Sequence, residues 1–215
     1  MPEPSYLNAV RTSYDTVAVD YAALLEGELA AKALDRAMLA AFAERVRAHG
    51  PGPVADLGCG PGRVTAHLHG LGLDAFGVDL SPGMVAEARR RHPGLRFEVG
   101  SMLALDLPDG GLAGALAWYS IIHTPRELLP DLFGELHRVL APGGHLLLAF
   151  QVGTDSVHRE HAYGHPVSLD GHRLSPDRVE ELLTEAGFYV HARLVREPED
   201  EYERTPQGFV MARRR

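Results

Sequence analysis

The sequence predicts an α/β fold built on a mostly parallel sheet, and three observations carry that expectation. Short apolar runs alternate with helical periods from residue 53 onward, the pattern of successive βαβ units. The first such run, residues 54–57, leads straight into the alternating glycines Gly58, Gly60 and Gly62, a backbone able to turn sharply at the end of a strand. Two helix starts are written as serine followed by proline, Ser81 with Pro82 and Ser175 with Pro176, the favoured order of cap and first-turn proline. With 215 residues, 45% hydrophobic and 23% charged, the chain suits one globular domain and excludes a disordered or fibrous class.

Before the alternation begins the chain reads as helix. Residues 14–25 are followed by residues 28–49, where Leu34, Met38, Phe42 and Val46 recur every fourth position as one buried stripe. Gly50, Pro51, Gly52 and Pro53 end it. A strand at 54–57, a helix at 63–70 and a strand at 75–78 follow, then a helix from Ser81 to about His92 and a strand at 95–99. Residues 112–118 read as strand and 125–140 as helix; the turn Pro142, Gly143, Gly144 leads to a strand at 145–150. Residues 153–173 are polar and histidine-rich without clean periodicity, which predicts a long lid loop. A helix from Ser175 ends at Gly187, and strands at 188–195 and 208–212 form an antiparallel hairpin with a solvated acidic tip at 197–203. The organisation expected is one domain over residues 1–215. It comprises a helical cap (1–50), a ligand-binding core (51–152), a lid (153–174) and a terminal helix with hairpin (175–215).

Composition excludes several partners. Lys+Arg 21 against Asp+Glu 29 leaves a net charge of −8, a poor footprint for a ligand held by phosphate neutralisation, so no nucleic acid is expected. The one basic cluster, Arg213, Arg214 and Arg215, reads as a solvated end. No apolar run reaches the ~18–20 residues of a membrane span. The first residues lack the basic and apolar regions of a secretory signal. A single cysteine, Cys59, cannot form an internal disulfide, and a cytoplasmic location is expected.

The glycine turn is sharpened by Asp79 at the end of the second strand, where a carboxylate can accept both hydroxyls of a ribose. A dinucleotide site wants a further glycine at the helix start to receive pyrophosphate; Arg63 stands there instead. Asp56, two residues before Gly58, repels pyrophosphate and suits a ligand bearing an ammonium and a sulfonium.

The segments DLGCGPG, GVDLSPGMVAEAR and HRVLAPGGHLLLAF, in that order, resemble the class I methyltransferases that use S-adenosylmethionine, of the small-molecule type, over about residues 14–151. The resemblance implies a Rossmann-like, doubly wound sheet of seven strands, mostly parallel with the last antiparallel, carrying N-terminal helices and a lid insertion. It implies S-adenosylmethionine as cofactor, its methionine part held by Asp56 and the turn of Gly58, Gly60 and Gly62. Asp79 would bind the ribose, Leu80 and Met84 would pack on adenine, and Ser101, Met102 and Leu103 would frame that ring. Ala117, Trp118 and Tyr119 would lie beneath the sulfonium, Tyr14 and Tyr21 would fold over the cofactor, and Arg63 would reach its carboxylate. Two positions depart from the family pattern, with Ser101 and Ala113 where aspartates are usual.

A methyl acceptor with a hydroxyl or ammonium group needs a base, and His123 follows the fourth strand on the ligand side. His161, Tyr163 and His165 in the lid are candidate substrate contacts. The lid histidines lack metal-ligand spacing, so no metal is assigned. The absence of an N-P-P-Y tetrapeptide and the position of Cys59 set aside methylation of nucleic-acid bases. A small-molecule substrate is expected. A non-catalytic cofactor-binding regulator and a nicotinamide-dependent oxidoreductase stay open beside it; the acceptor atom and oligomeric state are not set by the sequence.

Overall fold

The computed structural model describes residues 5–200 and 202–215. Three helices lead: α1 (Ser5–Leu24), the single turn α2 (Glu28–Ala31) and α3 (Ala33–His49). Strands and helices then alternate as β1 (Pro53–Leu57), α4 (Arg63–Gly70), β2 (Asp74–Asp79), α5 (Pro82–Arg91), β3 (Phe97–Val99) and β4 (Leu112–Trp118). After two short 3₁₀ turns come α6 (Leu129–Val139), β5 (Leu140–Gln151), β6 (Ser156–Ala162), β7 (His165–His172), α7 (Pro176–Glu185), β8 (Phe188–Arg196) and β9 (Gln207–Arg214).

Seven strands form one sheet in the order β3-β2-β1-β4-β5-β9-β8. The first five are parallel, and β9 runs antiparallel between β5 and β8. This is the doubly wound sheet expected, with the order reversing between β1 and β4. Strand β4 and residues 145–150 of β5 are buried on both sides because helices cover both faces of the sheet. Leu146, Leu148 and Phe150 of β5 face Phe133 and Leu136 of α6 and Leu183 of α7. Leu147 and Ala149 face the layer that holds Leu39 and Phe42 of α3 and Leu68 of α4. Ser81 caps α5 by accepting from Met84 N at 3.0 Å, and Ser175 caps α7 in the same way.

Several boundaries depart from the expectation. The long helix at 28–49 is broken at Lys32 (φ −99°, ψ 88°). Its buried stripe runs through Asp35, Leu39, Phe42, Ala43 and Val46, leaving Leu34 exposed. Strand β5 starts at Leu140 and includes the expected turn. The lid is not a loop: β6 and β7 pair as an antiparallel hairpin, joined through Tyr163 (φ 55°) and Gly164 (φ 82°), consecutive left-handed residues that suit a tight hairpin turn. It is held by α1, where Val17 and Ala18 pack with Val167 and Tyr163.

The acidic connection is not solvated as expected. Glu203 grips Arg196 through two bonds, Nη1 to Oε2 at 2.6 Å and Nη2 to Oε1 at 2.7 Å, and Arg196 Nε donates to Asp35 Oδ1 at 3.1 Å. Lys32 Nζ donates to Asp200 Oδ2 at 2.6 Å and Glu203 Oε1 at 2.9 Å. Lys32, Asp35 and Arg196 are all buried. The break between α2 and α3 lets Lys32 reach this cluster, and burial is tolerable because each charge has a partner. Glu201 lies outside the described residues.

Candidate functional site

The C-terminal ends of β1, β2 and β4 open onto one cavity beside the reversal of strand order, the place where open α/β sheets bind ligands. The turn after β1 supplies a bare backbone wall. Gly58 has φ 71°, and a Cβ there would overlap Ser120 Cβ, whose hydroxyl is committed to Leu57 O at 2.6 Å. Gly62 serves packing: a Cβ on it would meet the Phe97 ring at 2.7 Å, and it does not line the cavity.

Asp79 is fixed at the cavity wall by two backbone donors, Gly60 N to Oδ2 at 2.8 Å and Ser81 N to Oδ1 at 2.9 Å. Each oxygen keeps a further lone pair. Burial pushes its carboxyl up to about 6 against the pull of those two donors, and Asp15 adds to the rise. Asp56 sits beneath the turn, fully buried and off the cavity wall. Thr65 Oγ1 donates to its Oδ2 at 2.7 Å while Oδ1 has no partner. Burial pushes this carboxyl up to about 6 as well.

Helix α1 roofs the cavity, and polar contacts hold it there. Asp15 Oδ1 accepts from Ser81 Oγ at 2.6 Å and Gly83 N at 2.7 Å, docking α1 on the start of α5. Ser13 Oγ accepts from Ser168 N at 3.0 Å, and His165 Nε2 meets Asp20 Oδ2 at 2.6 Å, tying β7 to the same helix. Tyr21 lies edge-on to Tyr163 (4.9 Å) and to Tyr14 (5.8 Å).

The environment of His123 sets its protonation. Its Nδ1 faces the carbonyl oxygen of Asp170 at 2.7 Å, which only accepts, so Nδ1 carries the proton. Burial lowers the imidazole below its ordinary value, keeping it neutral. The lone pair on Nε2 therefore receives the hydroxyl of Tyr14 at 2.7 Å. Burial raises the Tyr14 phenol well above its usual range, so the pair rests uncharged. Tyr119 holds φ 57° at the end of β4, while its N–H still donates to Ala149 O at 2.9 Å. A bulky residue in that region is a marker of strained functional sites.

Of the residues singled out in the sequence, Tyr14, Tyr21, Gly58, Gly60, Asp79, Leu80, Met84, Ser101, Met102, Leu103, Trp118, Tyr119 and His123 line this one cavity. Others do not. Arg63 turns to Glu28, Nη1 to Oε2 at 2.9 Å, and Ala117 is buried in the layer under α6. His161 is exposed on β6, and Tyr163 and His165 contact α1 rather than the cavity. Tyr6, Leu7, Val10, Ser120 and Thr124 also line it and were not singled out. Tyr6, Val10 and Tyr14 stand four apart, a helical stripe that could have marked the roof.

Residues 54–144 match the family model described as a methyltransferase domain. The chain is 44% identical over 105 residues to the trans-aconitate 2-methyltransferase of Methylobacterium nodulans, covering 46% of this chain and 38% of that one. It is 35% identical over 156 residues to the malonyl-[acyl-carrier protein] O-methyltransferase of Halorhodospira halophila, covering 69% and 50%. The chain thus spans half or less of the length of these two relatives. The solved structure of a Burkholderia thailandensis 1,6-didemethyltoxoflavin-N1-methyltransferase, with its namesake and S-adenosylhomocysteine bound, superposes with a TM-score of 0.71 at 20% identity, covering all of this chain and 91% of that one. That likeness is one of fold. The matched segment, residues 54–144, is thus a methyltransferase domain, set in a chain that shares the fold of that structure.

Proposed function

We propose that the chain transfers a methyl group from S-adenosylmethionine to a small-molecule acceptor, with cap, core, lid and terminal hairpin working as one domain. The observation that carries this reading is Asp79, held by two backbone N–H groups with lone pairs left over, next to a glycine wall with no room for a side chain at Gly58. The unpartnered Oδ1 of Asp56 fits a ligand that brings a positively charged group to the turn. The residues present therefore suit the cofactor. Asp79 would take the ribose hydroxyls, Leu80 and Met84 the adenine face, and Ser101, Met102 and Leu103 its edge. Gly58 and Gly60 would hold the methionine end, with the Asp56 charge beneath the turn rather than in contact, and Tyr14 and Tyr21 would cover it. Arg63, engaged with Glu28, is left out of the set.

When bound, the cofactor supplies an electrophilic methyl group on sulfur. The protein's part is to exclude water, orient the acceptor and move a proton. Helix α1 closes the roof, backed from outside by the β6–β7 hairpin. Proton removal would run through Tyr14: its oxygen takes the acceptor's proton as its own passes to His123 Nε2, leaving an imidazolium held by Asp170 O. His123 thus serves as the base at one remove. The cavity wall carries no Lys or Arg among the described residues and is rich in aromatic rings, which favours an uncharged, planar acceptor over a polycarboxylate. A cytosolic location rests on the single cysteine.

Calorimetry with S-adenosylhomocysteine and NAD, followed by an acceptor screen scored by methyl transfer, tests the reading. Tighter binding of NAD would overturn it in favour of an oxidoreductase, and cofactor binding without turnover on any acceptor would favour the regulatory alternative. Tyr14→Phe should lower kcat about tenfold while changing S-adenosylhomocysteine affinity much less. An unchanged kcat would remove the relay.

A further inference from the structure

At the opposite end of the sheet from the cavity lies a second cleft, of about 370 Å³. The antiparallel register places His145, Arg213 and Tyr189 in one row across β5, β9 and β8. A bulge between Val190 and Ala192 puts His191 beside them, and the last turns of α3 add Arg45 and His49. The rings of His49, His145 and His191 meet edge to face at 6.1 and 5.7 Å.

The cleft's charge is unbalanced. Its lining holds two arginines and three histidines and no acid, in a chain of net charge −8. Neither Arg45 nor Arg213 makes an ion pair among the described residues, whereas Arg63, Arg91, Arg138, Arg173 and Arg196 all do. His145 is only 8% exposed, yet its Nδ1 has no hydrogen-bond partner; Nε2 of His191 is buried and equally unpartnered. Buried nitrogens without partners are costly and call for an explanation. Burial, the neighbouring imidazoles and the two guanidinium groups push His145 down to about 4. An oxyanion here would offset the two unpaired guanidinium charges and relieve the pressure they put on the imidazoles.

We propose that this cleft binds a multivalent phosphate group, either free pyrophosphate or the phosphate chain of a nucleotide. Two permanent guanidinium charges match at least a dianion, and their planar forks suit phosphate oxygens. The imidazoles add donors that gain protons once the anion is in place. The half-exposed ring of Tyr189, with Arg213 Cζ 5.9 Å from its centroid, offers a stacking surface at the rim.

Titration calorimetry of the whole chain with pyrophosphate, ATP and acetate at low salt tests the assignment. Pyrophosphate should bind at one site, and acetate should not compete. Arg45→Ala and Arg213→Ala should each weaken pyrophosphate binding about tenfold or more. Both arginines are exposed, so melting temperatures should stay near the parent's. His191→Gln, which keeps a donor but no charge, should weaken binding less. Tighter binding of ATP identifies a nucleotide as the source, and equal binding identifies the phosphate group alone; both support the site. No heat with millimolar pyrophosphate, affinity unchanged in both arginine variants, or acetate binding as tightly as pyrophosphate would each overturn it.

Discussion

Asp79→Ala should weaken S-adenosylhomocysteine binding by about 2–4 kcal/mol, from the loss of charge-assisted acceptors and the exposure of two unmet donors. The carboxylate does two jobs on the proposed reading. It holds Gly60 N and Ser81 N, which shape the glycine turn and the start of α5, and it leaves lone pairs for the ribose hydroxyls. Asp79→Asn keeps one acceptor oxygen and should lie between parent and alanine. Calorimetry on the three proteins separates them, and an alanine variant that binds like the parent would move the ribose elsewhere. The same residue sets a pH dependence. With its folded value raised to about 6, the free protein holds a proton here more tightly than the unfolded chain does. The stability this contributes is present at pH 4 and is lost as pH rises through 6. Ligand hydroxyls donate to the ionised form, so affinity should climb as pH rises towards 6 and level off above it.

Arg196→Met should destabilise the fold by about 3–5 kcal/mol, because it leaves Asp35 buried without a cation. Asp35 is 2% exposed and Arg196 5%, so water cannot replace the lost partner. Glu203 retains Lys32 at 2.9 Å, and the damage should centre on Asp35. Adding Asp35→Leu should restore most of the loss, since an apolar pair of similar volume avoids the desolvation penalty. Urea titrations of the single and double variants measure this, and a single-variant loss below about 1 kcal/mol would show the pair to be solvated in solution. The effect reaches the cavity: Arg196 stands over Phe209, which packs on Trp118 and Tyr119 of the cavity wall. Substituting Arg196 should therefore loosen that wall as well.

The legible parts of the chain were those whose signals are local. The run from Val54 through Gly62 displays its strand, its turn and its helix start in nine consecutive positions, and Asp79 follows one βαβ unit later. Ser81 with Pro82 and Ser175 with Pro176 announce their helices because a cap bonds to a backbone group three residues away. The β6–β7 hairpin had no such signal. Its few branched aliphatic residues, Val157, Val167 and Leu169, are too sparse to show a period of two, and its support comes from α1, about 150 residues upstream. The acidic connection looked solvated because Lys32, Asp35 and Glu203 are far apart in sequence and only the fold joins them.

Class of fold, the glycine turn after β1 and the two carboxylates near it were thus written in short-range patterning, where hydrophobic period and glycine placement act within a few residues. Which groups face the cavity was a matter of packing across long separations. His123 meets Tyr14 from another element and loses its open lone pair, Arg63 is drawn away by Glu28, and Asp56 sinks beneath the turn. Side-chain partners of this kind depend on which surfaces meet once the sheet has closed, and one-dimensional order carries no record of that meeting.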